Sequence, residues 1–137
     1  MNRISITMDS LPENISFTRV AVTAFIAPLD ATVSEASDIK TAVSEAVTNA
    51  VIHGGASQVT MTLSSQDKTV VIEICDTGVG IEDIEAARSP LFTTKGDMER
   101  SGLGFTVMES FMDDVLVVSS PGKGTKVTLT KTLASRD

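Results

Sequence analysis

The sequence predicts a two-layer α/β sandwich of the α+β kind, with a mixed, largely antiparallel sheet carrying helices on one face. Three observations predict it. Apolar residues alternate with polar ones in five short segments, and they recur at three- and four-residue spacing in two long ones. The alternate strand positions are mostly Ser, Thr, Lys or Glu, so one face of the sheet is wet and the other carries the helices.

The first segment, residues 3–8, places Ile4, Ile6 and Met8 on one face of a strand and Ser5 and Thr7 on the other. Pro12 then opens a helix that runs toward Leu29. Its apolar stripe is read as Phe17, Val20, Ala21, Ala24 and Phe25, which leaves Arg19 on the outer face, and Pro28 lies near the end. Thr32 or Ser34 caps a second helix, in which Ile39, Ala42, Val43, Ala46, Val47, Ala50 and Val51 repeat until Gly54-Gly55 stops it. Val59, Met61 and Leu63 alternate with Thr60 and Thr62. The turn Ser65-Gln66-Asp67-Lys68 joins them to a strand over 69–76, making a hairpin. A third helix is expected over Gly104–Met112. Strands 114–119 and 124–132 pair around Pro121-Gly122-Lys123-Gly124.

Length and charge bound the function. A chain of 137 residues, 42% of them hydrophobic, is one domain over 1–137, with a flexible segment near 89–101 and a frayed tail after Leu133. It buries about 68–70% of its unfolded surface, so the core needs neither metal nor disulfide. One cysteine, Cys75, makes no internal bridge, the start lacks the pattern of a secretory signal, and no apolar run spans a bilayer. A soluble, cytoplasmic setting is expected. The formal charge of −7 disfavours direct nucleic-acid or membrane binding and suits a basic partner, or simple solubility.

Chemistry concentrates in four places. Asp76 shares a strand face with Val70, Ile72 and Ile74, so a carboxylate points into the helix layer, just before Thr77-Gly78-Val79-Gly80. Glycines there let a flat ligand approach the backbone, and Asp76 can accept from an exocyclic amine such as that of adenine; a plain polar turn is the competing reading. Thr125 repeats the arrangement on the last strand, facing inward with Val127 and Leu129. On the second helix Glu45, Asn49 and His53 form a polar ridge, each four-residue step drifting about 40°. A carboxylate and a carboxamide one turn apart suit proton abstraction from a hydroxyl and ligation of Mg²⁺, although a solvated helix face explains the same spacing. His53, the only histidine, precedes Gly54 and reads as a helix-end residue. Finally, residues 91–104 form a long polar segment bounded by glycine and running into a helix N-terminus. Amides at Gly102 and Gly104 can hold phosphates, with mobile charge from Lys95 and Arg100.

Taken in order, Glu45-x-x-x-Asn49, Asp76-x-Gly78-x-Gly80, Ser101-Gly102-Leu103-Gly104-Phe105 and Gly122-x-Gly124-Thr125 resemble the ATP-binding boxes of the GHKL (Bergerat-fold) ATPase superfamily. Within it, Glu45-Ala46-Val47-Thr48-Asn49-Ala50 and Pro90-Leu91-Phe92-Thr93-Thr94-Lys95 look like the family of sporulation anti-sigma F factors, which are serine-protein kinases. The resemblance covers nearly the whole chain. It implies ATP and Mg²⁺ as cofactors, with Glu45 as general base, Asn49 as the Mg²⁺ ligand, and Asp76 with Thr125 as adenine readers. Gly78, Gly80, Lys95, Arg100, Ser101, Gly102, Leu103 and Gly104 would complete the nucleotide site, under a lid at about 89–103. It further implies a sigma factor and an anti-anti-sigma factor bearing the acceptor serine as partners, contact with them through Arg19, and a homodimer. One departure stands out: only Gly55-Ala56 separate Gly54 from Ser57, where the family has a longer loop. A histidine-kinase catalytic domain and a non-catalytic, ATP-stabilised sigma-binding module are the alternatives.

The expected lid has a direct test. Tryptic cleavage after Lys95 or Arg100 should slow when ATP and Mg²⁺ are added, because polar, glycine-bounded segments gain order from their ligand. Equal cutting with and without nucleotide would mark an ordinary surface loop.

Overall fold

A computed structural model describes residues 1–53, 55, 57–76, 102–120 and 124–134. Five strands, β1 (Asn2–Asp9), β2 (Gln58–Gln66), β3 (Thr69–Asp76), β4 (Asp114–Ser120) and β5 (Gly124–Thr132), form one sheet in the order β1-β2-β3-β5-β4. All four pairings are antiparallel, so the largely antiparallel sheet expected from the sequence contains no parallel pair among the described residues. Helices α1 (Glu13–Ile26), α2 (Val33–His53) and α3 (Gly102–Phe111) form the second layer.

Strand alternation sorts the two faces. Val59, Met61 and Leu63 of β2, Val70, Ile72 and Ile74 of β3, and Val127 and Leu129 of β5 are buried against the helices. The opposite face carries hydroxyl pairs across strands, Ser5 with Thr62 at 2.8 Å and Thr7 with Thr60 at 3.0 Å. Lys126 on that face lies 2.7 Å from Glu73 Oε2, and the Glu73 carboxylate raises the lysine pKa. The β2–β3 hairpin turns on Asp67-Lys68, with Asp67 in the left-handed region that Asp tolerates better than most residues.

Helix α2 is the axis of the helix layer. Ile39, Ala42, Val43, Ala46, Val47 and Ala50 are buried along one side, as the three-and-four spacing predicts. Of the two candidate caps, Thr32 is the one used. Its Oγ1 accepts from the Glu35 backbone N–H at 2.9 Å, and Glu35 Oε1 accepts from the Thr32 N–H at 2.8 Å, a reciprocal capping box. Glu35 Oε2 also accepts from the Ala134 N–H at 2.8 Å, which ties the chain after β5 to the start of α2. At the far end of α3, Lys131 donates to the Phe111 carbonyl at 2.7 Å and lies 3.8 Å from Asp38 of α2. Buried Phe105, Met108 and Met112 complete the packing of α3.

The first helix differs in part from its expected orientation: Phe25 is buried and Ala21 packs against the core as expected, but the rest of the stripe is not. Phe17 and Val20 are 54% and 66% exposed, whereas Thr18, Val22, Phe25 and Ile26 are buried. Two apolar stripes compete along this helix. The one that wins includes a threonine, whose hydroxyl is satisfied internally by donating to the Ile15 carbonyl at 2.6 Å. The helix stops at Ile26 and tightens into a 3₁₀ turn over Ala27–Leu29 that contains Pro28, and Asp30 follows with φ 58°. No helix among the described residues is long and apolar enough to cross a membrane.

Replacing Glu35 by Ala removes two backbone bonds to one carboxylate, one capping α2 and one holding the segment after β5. The expected loss is about 1–3 kcal/mol. It should show as a lower urea midpoint with an unchanged m value, and an unshifted midpoint would contradict this role for the carboxylate.

Candidate functional site

The site lies where the ends of β3 and β5 meet the middle of α2 and the start of α3. Asp76 and Thr125 are register partners across β3 and β5, both on the helix side, with 5% and 6% of their surface exposed. Alternation alone puts them there. Above them α2 presents Ala46, Asn49 and Ala50, and α3 presents Phe105. These residues, with Ile74 and Val127, enclose a cavity of about 10 Å³ beside the Asp76 carboxylate. Alanines matter at this point, because a larger side chain at position 46 or 50 would occupy the space over the acid.

The polar ridge of α2 meets α3 at a glycine. A methyl group placed on Gly104 would lie 3.4 Å from Asn49 Nδ2, 3.5 Å from Glu45 Oε2 and 3.9 Å from Asn49 Oδ1. Three of the residues singled out in the sequence are thus brought into one contact. Because Gly104 sits in the first turn of α3, with Gly102 at its first residue, backbone N–H groups without helical partners lie beside the ridge. Such a helix start favours negative charge. Asn49 is 5% exposed, while Glu45 is half-buried and borders a second, larger cavity.

That second cavity, about 830 Å³, is a groove between α1 and α2. Arg19 lines it together with Val20, Ala24, Lys40, Ser44 and Glu45. The expected outward position of Arg19 holds only in part. The residue is exposed, but its Nε donates to Ser44 Oγ at 2.9 Å, so the guanidinium is held over α2, one residue from Glu45. The rotated stripe of α1 fits this, since Arg19 adjoins the buried Thr18. What the sequence reading missed here is Ser44. A serine inside an apolar-periodic helix carries little signal alone, and its role shows only when α1 lies against it.

Gly78, Gly80, Lys95, Arg100 and Ser101 lie outside the described residues, as do the expected lid up to 101 and the turn residues Pro121, Gly122 and Lys123. Leu103 is described only as part of the α3 backbone. Among the described residues there is no cluster of three or more His, Cys, Asp or Glu that could hold a metal. A cation at this site would therefore rest on a ligand such as the Asn49 carboxamide oxygen together with oxygens of a bound anion, which is how Mg²⁺ is commonly held. His53 closes α2, and Cys75 is exposed on the opposite sheet face, both as read from the sequence.

Comparison with known proteins identifies the family. Residues 8–131 match the family described as the histidine kinase-like ATPase domain. The chain is 53% identical over 137 residues to an anti-sigma F factor of Bacillus licheniformis, an alignment covering 97% of this chain and 94% of that one. It is 52% identical to the anti-sigma F factor of Bacillus subtilis strain 168, over 97% and 94% of the two chains. The Clostridium acetobutylicum anti-sigma F factor is 49% identical, over 97% and 95%. Among solved structures, the RsbU and RsbW domains of a Mycobacterium tuberculosis protein superpose with a TM-score of 0.73 at 22% identity, covering 99% of this chain and 34% of that longer one. The catalytic domain of the histidine kinase ThkA gives a TM-score of 0.58 at 18% identity, covering 97% of each chain. Both share the fold.

Gly104 offers a test in which two effects have opposite signs. Ala at this helical position should raise stability by about 0.5–1 kcal/mol, since its Cβ meets only ordinary contacts. The same methyl fills the space in front of Glu45 and Asn49, so nucleotide affinity should fall. Thermal melting and nucleotide titration of one variant check both, and unchanged affinity would mean that nothing binds against this ridge.

Proposed function

The chain belongs to the anti-sigma F factors, a family of histidine kinase-like ATPase domains, and on that footing we propose that it is an ATP- and Mg²⁺-dependent protein serine kinase. In one complex it holds a sporulation sigma factor inactive. In another it phosphorylates a serine of the anti-anti-sigma factor that opposes it. The proposed setting is the cytoplasm, with the protein acting as a homodimer.

The observation that carries the kinase reading is the closeness of Glu45 and Asn49 to Gly104 at the start of α3, where a Cβ would meet both side chains. Phosphates on the Gly102 and Gly104 amides would lie within reach of both side chains. ATP supplies the phosphoryl group when bound, and the protein's own part is positional. Asp76 accepts from the adenine amine at the buried end of the site, with Thr125 beside it. Asn49 would offer its oxygen to Mg²⁺ when the ion is bound. Glu45 would take the proton of the acceptor hydroxyl as that oxygen bonds to the terminal phosphorus and the bond to the β-phosphate oxygen breaks, with ADP leaving. Gly78, Gly80, Lys95, Arg100, Ser101 and Leu103 complete the proposed nucleotide site by their place in the motifs.

The groove beside Glu45 supports the protein-substrate half of the proposal. Arg19, Phe17 and Val20 present a cation and two exposed apolar side chains on α1, next to a cavity that ends at the proposed base. Arginine and aromatic residues are frequent anchors of protein interfaces. A protein acceptor seated there would bring its serine to Glu45, whereas a module that only bound a sigma factor has no use for a carboxylate at that end.

Glu45→Gln separates the readings. ATP affinity should stay within about threefold, while phosphoryl transfer to the anti-anti-sigma factor falls about 10²–10⁴-fold, the usual contribution of a positioned base. An unchanged transfer rate would remove Glu45 from that role. Sigma-factor binding by a wild-type protein that transfers no phosphate would instead favour the non-catalytic module.

A further inference from the structure

Arg19 and Glu45 border one groove, and a single serine connects them. Ser44 is 8% exposed on α2 and immediately precedes Glu45. Its Oγ accepts from Arg19 Nε at 2.9 Å, a bond that joins α1 to α2. A guanidinium carries five N–H donors in one plane, so committing the donor on Nε leaves the four on the two Nη nitrogens, a fork that matches an oxyanion. Arg19 is exposed, and an exposed arginine without such a bond spreads over many rotamers, which a partner must then order at an entropic cost. The identity of the acceptor matters. A carboxylate at position 44 would pin the guanidinium more firmly and cancel its charge, whereas a serine fixes its place and leaves the charge for a ligand. Because Ser44 and Glu45 are consecutive residues of one helix, whatever Ser44 holds is held at a set place relative to the proposed base.

We infer that Ser44 is a positioning residue for protein docking, acting through Arg19. It orders the guanidinium beside the groove before a partner arrives, so the entropy of fixing a long cationic side chain is lost on folding and not on binding. The docking protein then meets a cation whose direction is already set, at a fixed distance from Glu45. In this role Ser44 contacts neither the nucleotide nor the reacting atoms. Its effect therefore falls on the step in which the acceptor protein docks, and not on phosphoryl transfer after docking. A serine that merely stapled α1 to α2 would act differently, because loosening the helix layer would disturb nucleotide and protein binding together. The inference rests on the reading of Arg19 and the groove as the seat of the acceptor, and adds what holds that seat in shape.

Steady-state phosphorylation of the anti-anti-sigma factor by the intact chain, with acceptor and ATP varied separately, tests this. Ser44→Ala should raise KM for the acceptor at least about threefold, the loss of one net hydrogen bond, with kcat at saturating acceptor within about twofold and KM for ATP unchanged. Ser44→Cys, nearly equal in volume but a weak acceptor, should behave as Ala does, and Ser44→Thr, which keeps the hydroxyl, should return KM toward the wild-type value. In an Arg19→Ala background, Ser44→Ala should add no further rise, as a double-mutant cycle requires if the effect passes through the guanidinium. In the free protein the Arg19 Nε–H should give a slowly exchanging NMR resonance that Ser44→Ala abolishes while the backbone amide spectrum stays in place. An unchanged acceptor KM in Ser44→Ala would overturn the inference, as would a rise of equal size in the Arg19→Ala background or a loss confined to kcat. Parallel losses for acceptor and ATP would reduce Ser44 to a staple between helices and overturn it too. If the wild-type protein transfers no phosphate, the kinase reading fails by itself. Sigma-factor affinity then decides the inference separately, since Ser44→Ala should weaken it at least about threefold and only while Arg19 is present.

Discussion

Everything at the site depends on how closely α2 lies over the sheet. The helix meets β3 and β5 through Ala42, Ala46 and Ala50 as well as branched residues, and the small side chains fall where Asp76 and Thr125 rise from the strands. A helix with leucines at those places would stand farther off and cover the acid. With Ala46 and Ala50 over them, a carboxylate and a hydroxyl are buried there with little volume around them. The same axis then carries Asn49 and Glu45 outward to the start of α3. On the proposed nucleotide reading, position along one helix becomes position along one ligand, from the buried base end to the exposed reacting end.

Holding that helix in register is a task spread over distant residues. Glu35 caps its start and also grips the chain after β5. Lys131 joins the last carbonyl of α3, that of Phe111, to Asp38, one turn into α2. Neither residue touches the site, yet each links α2 to a different neighbour. Among the described residues, the two ion pairs made by lysines of β5 differ in this respect. Lys126 and Glu73 meet on the wet face, where screening leaves little net attraction. Lys131 is largely enclosed and also satisfies a helix terminus, where a cation complements the dipole.

Much of this was legible in the sequence because the relevant signals are periodic. Alternation over 69–76 and 124–132 placed Asp76 and Thr125 on the inner face, and the spacing of four placed Glu45 and Asn49 on one ridge. The hairpin, the strand pair at the end of the chain and the Thr32 cap follow from equally local rules. What periodicity could not settle was α1, where two apolar stripes of similar quality run side by side. The buried stripe runs through Thr18, whose hydroxyl is satisfied inside the helix, an arrangement that a hydrophobic pattern does not register. Ser44 was illegible for a related reason. It holds Arg19 across a contact between elements, and nothing in its own neighbourhood in the chain announces it.

Strand alternation has one further, practical consequence. Cys75 is the only thiol in the chain and is exposed, yet it is bonded in sequence to the buried carboxylate Asp76. A fluorophore or spin label attached there needs no engineered cysteine and no removal of competing ones. It would sit on the far side of the sheet from the cavity, one backbone thickness away, clear of the groove lined by Arg19 and of both helices that hold the site. The fold therefore carries a native attachment point from which occupancy of the opposite face can be followed in solution without obstructing it.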